Sequence, residues 1–349
     1  MKRFSILILT LCLCLTGCGK QTTEATAQIF AMDTVMEVAA YGEHAEQAVK
    51  STEKRIEELE NRLSRTKADS LVSGLNRDGS IRHLTYDYWN LIARAKEYRD
   101  ATNGAFDITI APVMDAWGFT GDSFRVPERS ELDELLKHVN SDEIQIQEEP
   151  AHSVTLGEGQ AIDLGGIAKG YTSDWVEQTF RANGIESGKI SLGGNVFVLG
   201  GKPDGSDWRV GIKDPRNESG LAAILSLRDA YAITSGGYER YFEENGKTYH
   251  HIIDPSTGYP ADSGLLSVTV VAADNGPDWA GAGNGAMCDA FSTALFVMGE
   301  EQALDFWRNG GYDFDLVLVT EDGRVVITAG LADRFEEVKD SGYTYETVS

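Results

Sequence analysis

The chain is poor in cysteine, in histidine and in positive charge. Its 349 residues include four cysteines and six histidines, and 31 lysines and arginines stand against 55 aspartates and glutamates, for a net charge of −24. This acidity argues against nucleic acid as a partner. The histidines are scattered, and three of the four cysteines lie within the first 18 residues, so the chain lacks the ligand spacing of a zinc site. An anionic substrate would therefore need a metal ion or local cations to approach.

Long hydrophobic runs are also missing, apart from the N-terminal stretch "MKRFSILILTLCLCLTGC". Its apolar part follows Lys2 and Arg3 and is too short to cross a membrane, so it predicts a secretory signal. The small residues before Cys18 resemble a bacterial lipobox, in which that cysteine becomes the lipid-carrying first residue. The alternative is an ordinary signal peptide with a chance cysteine.

The anchored interpretation predicts a signal peptide over residues 1–17, palmitate-type lipidation of Cys18 and a flexible tether over residues 18–27. A catalytic domain over residues 28–340 would then lie outside the cytoplasm, held to the bacterial cell membrane by its lipid. Cys12 and Cys14 would leave with the signal, so Cys288 would be the only cysteine of the folded part and no intramolecular disulfide could form.

The remaining sequence predicts one mixed α+β domain. "EQAVKSTEKRIEELENRLS" has apolar residues at helical spacing, and "YDYWNLIARAKEYRDATNG" predicts a second helix with Gly104 as its stop. Strand-like runs cluster in the second half: "KISLGGNVFVLGG", "DWRVGIKDP", "AAILSLRDAYAITSGG", "LLSVTVVAAD" and "DLVLVT". No internal repeat or linker divides the chain.

Three hydrophilic residues interrupt the apolar segment "MCDAFSTALF" at positions 287–296. In one interpretation, Asp289 caps the first turn of its own helix, and Ser292 or Thr293 bonds back to a backbone carbonyl. In the other, Asp289 and Thr293 lie four residues apart on one helix face and offer oxygen ligands to Mg²⁺ or Ca²⁺. The segment alone does not decide between them.

Two further stretches bear on this choice. "AIDLGGIAKGYTSDWV", residues 161–176, runs from a strand-like end through two glycines into a helix with Lys169, which suits a phosphate cradle built on free amides. Its spacing fits neither the Walker motif G-x-x-x-x-G-K-[ST] nor the dinucleotide-binding motif G-x-G-x-x-G. "YHHIIDPSTGYP", residues 249–260, offers either a structural turn or a histidine that takes a proton from an attacking hydroxyl.

Together these stretches resemble the ApbE family, the FAD:protein FMN transferases. "DLGGIAKGY", "SLGGN", "TSGGYER", "HHIIDPSTG" and "DAFSTALFVMG" occur in the family's order and spacing, and "AMDTVMEV" and "NGAFDITIAPVMDAWGF" look like its flavin-contacting segments. The resemblance spans roughly residues 28–335. It implies a T-fold-like α+β domain with an antiparallel sheet and packed helices.

The resemblance also implies site residues. Mg²⁺ would be bound by Asp289, Thr293 and a backbone oxygen of Gly166. Asp289 and His251 would be the catalytic residues; His251 matches the family's histidine before "IIDP", and its role as general base is our own inference. FAD would contact Met32, Thr66, Ala105, Phe106, Asp107, Asp163, Lys169 and Ile253. At two of these places the chain departs from the pattern: many relatives have glycine at Asp33 and an aromatic residue at Thr66.

The implied reaction transfers the FMN part of FAD to a threonine or serine hydroxyl of an acceptor flavoprotein, an electron-transfer FMN-binding domain, and releases AMP. The missing aromatic at Thr66 would let water compete with that hydroxyl. A Mg²⁺-dependent FAD pyrophosphatase that yields FMN and AMP is therefore the alternative. A lipoprotein that only binds flavin is a further one.

Overall fold

Helices and strands both contribute to one sheet-based fold. The computed structural model describes residues 23–121, 123–274 and 283–349, so the signal peptide and Cys18 lie outside the described residues. The α-helices of the described residues are α1 (Ala45–Leu63), α2 (Leu71–Asp78), α3 (Tyr86–Ala101), α4 (Ala111–Trp117), α5 (Arg129–Leu135), α6 (Ala168–Ala182), α7 (Asn284–Met298) and α8 (Glu300–Asn309).

The strands form one large sheet and three small ones. In chain order they are β1 (Glu24–Ala31), β2 (Thr34–Tyr41), β3 (Ser80–Arg82), β4 (Gln145–Gln147), β5 (Ser153–Thr155), β6 (Ser187–Leu192), β7 (Asn195–Leu199), β8 (Trp208–Asp214), β9 (Asn217–Leu227), β10 (Ala230–Gly236), β11 (Tyr241–Glu244), β12 (Lys247–His250), β13 (Leu265–Ala273), β14 (Asp315–Thr320), β15 (Arg324–Thr328), β16 (Phe335–Glu337) and β17 (Thr344–Val348).

The large sheet has nine strands in the order β1-β2-β6-β7-β10-β13-β14-β15-β17. Every neighbouring pair is antiparallel except β15 and β17, which are parallel. The small sheets are β16-β9-β8, β3-β5-β4 and β11-β12. The predicted α+β class with an antiparallel sheet is therefore confirmed.

Each face of the large sheet buries its own core, because successive strand residues point to opposite faces. On the helix face, strand residues such as Ile233 and Val270 pack with Ile56 of α1, Phe180 of α6 and Phe291 of α7. On the other face, strand residues such as Ala232 and Val271 pack against the sheet made by β8, β9 and β16. The site described below lies on the helix face.

The two helices predicted from spacing are confirmed. α1 buries Val49, Ile56, Leu59 and Leu63, the apolar positions on which the prediction rests. α3 is followed by Gly104, which has a φ of 83° and donates its N–H to the Arg99 carbonyl at 2.9 Å. A left-handed glycine that returns a hydrogen bond to the last turn is a common way to end a helix.

The predicted domain bounds differ from the folded region at both ends. The residues from Glu24 to Ala27 pair with β2 as the first half of β1, the edge strand of the sheet, although they were predicted to be tether. At the other end, β17 continues the sheet to Val348, beyond position 340. The first half of β1 alternates exposed residues with half-buried alanines, and β17 has only Tyr345 and Val348 as large apolar residues. Neither segment carries many of the residues typical of strands, so pairing with a neighbouring strand contributes much of their stability.

Candidate active site

The site is built where α6 crosses α7 with no side chain between their backbones. A Cβ atom added to Gly170 of α6 would lie 2.1 Å from the Gly285 carbonyl oxygen, and one added to Gly285 would lie 2.4 Å from the Gly170 oxygen. Neither position has room for a side chain larger than a hydrogen. The two glycines therefore bring the first turn of α6 against the first two turns of α7.

Asp289 lies at this crossing, buried in the second turn of α7. Its Oδ2 accepts a hydrogen bond from the Gly170 amide at 2.8 Å, and its Oδ1 accepts one from Asn195 Nδ2 at 3.0 Å. Because α7 begins at Asn284, the prediction that Asp289 caps its own helix is wrong; it caps the first turn of α6 instead. Burial raises the pKa of Asp289, and the nearby charge of Lys169 opposes that rise.

A backbone carbonyl lies free just before α6. Gly166 precedes Ile167, the N-cap of α6, and among the described residues its oxygen accepts no backbone hydrogen bond. A Cβ added to Gly166 would lie 3.4 Å from Thr293 Oγ1, which puts these two residues side by side. The structure thus brings together Asp289, Thr293 and Gly166, the three predicted metal ligands.

A cluster of hydroxyl groups surrounds Thr293. Ser235 Oγ on β10 lies 2.8 Å from Ser292 Oγ and 3.2 Å from Thr293 Oγ1. Both helix hydroxyls also donate to the Asp289 carbonyl oxygen, Ser292 at 2.9 Å and Thr293 at 3.3 Å. The predicted back-bonding to the helix is confirmed. It does not compete with the other interpretation, since a hydroxyl oxygen that donates its proton still offers lone pairs.

These oxygen donors fit a hard cation. Within residues 23–121, 123–274 and 283–349, no cluster of three or more His, Cys, Asp or Glu side chains could hold a metal ion. A metal at this crossing would have one carboxylate, one hydroxyl and one carbonyl. Mg²⁺ is commonly bound by one or two carboxylates and completes its shell with water and phosphate oxygens. Asp289 retains acceptor capacity for it, because each oxygen accepts only one of the hydrogen bonds described above.

The phosphate cradle is only partly as predicted. The Gly165 amide donates to Asp163 Oδ1 at 2.7 Å, and the Gly170 amide is held by Asp289, so neither is free for a phosphate. The cationic side chain does remain available. The ammonium group of Lys169 makes no hydrogen bond or ion pair with the part of the chain that is described, and its charge acts on both Asp289 and His251.

Arg65 is a residue of this region that sequence reasoning missed. Its guanidinium bonds Asp163 Oδ2 at 3.1 Å, Asp115 Oδ2 at 2.6 Å and Thr120 Oγ1 at 2.9 Å. It thereby ties the loop after α1 to the turn before α6. Its neighbour Thr66 is exposed and contacts only the Ser64 hydroxyl, at 3.0 Å, among the side-chain hydrogen bonds of the described residues.

The predicted flavin-contacting positions differ in how available their side chains are. Asp107 is buried, and its carboxylate accepts from the Thr109 amide and hydroxyl at 2.9 and 2.6 Å and from Ser141, so its side chain serves the loop itself. Phe106 reaches the site: a Cβ on Gly166 would lie 3.1 Å from its ring. Ala105 is half-buried beside it.

Met32 and Ile253 approach from two other segments. Met32 and Asp33 form the two-residue turn between β1 and β2, with φ values of 50° and 59°. Such a turn favours glycine, and aspartate is among the residues that tolerate it. The Met32 sulfur accepts from Thr172 Oγ1 of α6 at 3.7 Å. Ile253 packs in a separate aromatic cluster that contains Trp117 and Phe119.

His251 has the hydrogen bonding of a neutral base. Its Nδ1 lies 3.1 Å from the Arg240 carbonyl oxygen, which can only accept, so Nδ1 carries the proton and Nε2 has a free lone pair. Burial and the charge of Lys169 lower the pKa of His251 to about 3, which keeps it neutral. His250 is structural: its ring bonds the Ala261 carbonyl and the Ile252 amide, and it packs on Phe296.

Comparison with known proteins identifies the family of this chain. The sequence model of the ApbE family matches residues 32–316. FAD:protein FMN transferases of Klebsiella pneumoniae and Treponema pallidum are 34% and 32% identical, over 82% and 83% of this chain and 86% and 82% of theirs. The crystal structure of the ApbE protein of Thermotoga maritima is 31% identical and superposes with a TM-score of 0.78 over 91% of this chain and 97% of its own. The predicted resemblance is confirmed: the chain belongs to the ApbE family.

Proposed function

We propose that this chain transfers the FMN part of FAD to a threonine or serine hydroxyl of an acceptor flavoprotein, with Mg²⁺ as the cofactor. The names of the curated relatives support an FAD:protein FMN transferase. The observation that supports the metal-dependent reaction is the contact between Asp289 and Gly170, because it brings the carboxylate to the helix start where Gly166 lies beside Thr293. An ion bound there would neutralise charge on the FAD pyrophosphate and make the phosphorus easier to attack.

The acceptor hydroxyl attacks the phosphorus on the FMN side of the pyrophosphate. A new phosphoester bond forms, the phosphoanhydride bond breaks, and AMP leaves with the bonding electrons. His251 Nε2 takes the hydroxyl proton, and its Nδ1–H bond to Arg240 holds the ring in the tautomer that this requires. Lys169, whose charge reaches both Asp289 and His251, adds positive charge beside the phosphates.

Replacing His251 tests the proton transfer. His251→Ala is expected to lower FMN transfer about 100-fold, at the lower end of what a general base contributes, while FAD binding stays unchanged. FAD binding would be followed by flavin fluorescence and transfer by intact mass of the acceptor. A variant that transfers FMN at the rate of the unchanged protein would exclude His251 as the base.

One observation favours a second candidate function, a Mg²⁺-dependent FAD pyrophosphatase. The Thr66 side chain is exposed and presents no aromatic ring at a place where the family pattern has one. Water could then take the place of the acceptor hydroxyl. Thr66→Tyr is the variant that would shift the balance back towards transfer.

The deciding experiment combines the protein with FAD, Mg²⁺ and an electron-transfer FMN-binding domain, and follows acceptor mass and nucleotides together. An acceptor heavier by one FMN, with AMP released, supports transfer. FMN and AMP with an unmodified acceptor support the pyrophosphatase. Intact FAD bound to the protein would support a non-catalytic flavin-binding lipoprotein.

We also propose that the protein is a lipoprotein on the outer face of the cell membrane, anchored through Cys18 and released from a signal peptide at residues 1–17. The sequence pattern around Cys18 is the support. None of the described helices has both the length and the apolar content to cross a bilayer. Cys18→Ser should abolish labelling by a palmitate analogue and move the protein from the membrane fraction to the soluble fraction; unchanged labelling would contradict the anchor.

A further inference from the structure

Asn195 is a buried polar residue in the wall of the proposed metal site. It is the first residue of β7 and follows the turn Gly193–Gly194, whose φ values are 57° and 95°. It pairs in register with Ile233, which packs in the helix-side core, so the Asn195 side chain also points to the helix face of the sheet. The side chain is fully buried there.

The two ends of the Asn195 amide are satisfied unequally. Its Nδ2 donates to Asp289 Oδ1 at 3.0 Å. Its Oδ1 is buried and accepts no hydrogen bond from any described residue. The amide cannot be turned round to correct this, since a carboxylate only accepts and two oxygens would then face each other. The orphaned atom is therefore the oxygen.

A buried acceptor without a donor is costly, by about 1–3 kcal/mol, so the position calls for a donor from outside the chain. Water is the smallest such donor, and a Mg²⁺ ion bound to protein normally keeps several of its waters. Residues that hold metal ligands in place by hydrogen bonds are a general part of metal sites. Asn195 bonds the predicted ligand Asp289 directly.

We infer that Asn195 is a positioning residue of the metal site: Nδ2 fixes the rotation of the Asp289 carboxylate, and Oδ1 accepts a hydrogen bond from a water molecule carried by the ion. This inference rests on the proposed Mg²⁺ site. It adds a residue of the "SLGGN" motif to a site whose other members come from α6 and α7. Together with Gly170, Asn195 holds the carboxylate by both of its oxygens.

The test is metal affinity in the absence of FAD, with Mn²⁺ as a paramagnetic substitute for Mg²⁺. Free Mn²⁺ is measured by electron paramagnetic resonance during titration of the full-length protein, Asn195→Ala and Asn195→Leu. Both variants are expected to bind Mn²⁺ about 10–100-fold more weakly, the usual effect of losing such a partner. Thermal unfolding in EDTA shows whether each variant is folded, and Asn195→Ala carries the test if the larger leucine prevents folding.

A matched control is Ser267→Ala. The Ser267 hydroxyl is also fully buried and also lacks a partner among the described residues. However, it lies four residues before Val271 on β13 and therefore on the same face, which packs in the core on the other side of the sheet. Its removal should leave Mn²⁺ affinity unchanged, so a loss common to both positions would indicate a general effect of core substitution and would overturn the inference.

Asp289→Ala, measured in parallel, distinguishes a failure of the Asn195 inference from a failure of the proposed metal site. If Asp289→Ala loses Mn²⁺ binding while folded Asn195→Ala binds as the unchanged protein does, Asn195 is not a positioning residue and only this inference fails. If Asp289→Ala itself binds Mn²⁺ normally, the proposed metal site fails. Weakened binding in both variants, with normal binding in Ser267→Ala, is the expected result.

Discussion

Asp174 and Asp289 are buried carboxylates at the two sides of one helix crossing, and each caps the helix of the other. Asp174 on α6 accepts from three backbone amides at the start of α7, those of Gly283, Gly285 and Ala286, at 2.8–3.0 Å, and Tyr231 also bonds it. Asp289 on α7 accepts from Gly170 at the start of α6 and from Asn195.

The difference between them lies in the acceptor capacity that remains. A carboxylate has about four lone-pair positions, and the four donors around Asp174 fill them. Asp289 has three donors, the Gly170 amide, Asn195 Nδ2 and the Lys169 amide, so one position remains, and it stands beside a free carbonyl, a hydroxyl cluster and the charge of Lys169. Two buried aspartates in similar places therefore have different roles: a saturated carboxylate stabilises the fold, and an unsaturated one is suited to bind a ligand.

The largest expected effect is the loss of activity when Asp289 is replaced. Asp289→Ala should lower Mg²⁺-dependent FAD turnover about 1000-fold, because a metal ion contributes several kcal/mol of charge stabilisation and each 1.4 kcal/mol is tenfold in rate. The lost cap on α6 and the unpaired Asn195 amide should also lower the free energy of unfolding, by about 2 kcal/mol or more. AMP release and urea unfolding measure the two effects. Turnover within tenfold of the unchanged protein would contradict the metal assignment.

Replacing Asp174 should lower stability and leave metal binding almost unchanged. Asp174→Ala leaves three amides of α7 without their acceptor, and an unpaired buried group costs about 1–3 kcal/mol, so unfolding free energy should fall by about 3 kcal/mol or more. Mn²⁺ affinity of the folded protein should change little. A variant that is as stable as the unchanged protein but binds the metal poorly would reverse the two roles.

The raised pKa of Asp174 should also make the stability of the protein depend on pH. Burial raises the pKa of Asp174 to about 7, far above its value of 3.8 in an unfolded chain. Between these values the native state keeps a proton that the unfolded state has lost, so stability should fall as pH rises from about 4 to 7, by up to about 1.4 kcal/mol per pH unit, and level off above. Asp174→Asn, which resembles the neutral acid, should remove this slope from the difference between the two proteins' unfolding free energies.

The smallest expected effect separates the neighbours Ser292 and Thr293. Ser292→Ala removes hydrogen bonds to Ser235 and to the Asp289 carbonyl, which should cost about 1 kcal/mol of stability with unchanged metal affinity. Thr293→Val keeps the shape of the side chain and removes its oxygen, and it should weaken Mn²⁺ binding. Equal Mn²⁺ affinities in the two variants would remove Thr293 from the metal site.

Sequence pattern predicted those parts of the molecule that local forces determine. The apolar spacing of α1, the glycine stop after α3 and the strand runs of β6, β7, β10, β13 and β14 all reappear in the structure. The family motifs also located the residues that meet at the crossing, because Asp289, Thr293 and Gly166 lie within the family strings. The first half of β1 was assigned to the tether because it continues a polar stretch and its only apolar residues are alanines.

What the sequence could not supply is the pairing of residues far apart in the chain. Local pattern offered only the helix of Asp289 itself as a cap for this residue; its actual partner Gly170 is 119 positions away. Asn195, Ser235 and Arg65 were missed for the same reason, as each reaches the site through a contact formed only after folding. The available signal was the position of Asn195 and Ser235 inside two of the family strings.

The contact between Gly170 and Gly285 also limits how the enzyme can move. Because the helix backbones touch with no side chain between them, sliding either helix along the other would separate both carboxylates from the amides they cap. Closely packed elements of this kind move as one body. The α6–α7 pair is therefore expected to stay fixed throughout a turnover. Any opening that admits a protein acceptor is then expected in the turns and hairpins around the pair, such as the hairpin of β11 and β12 that leads into His251.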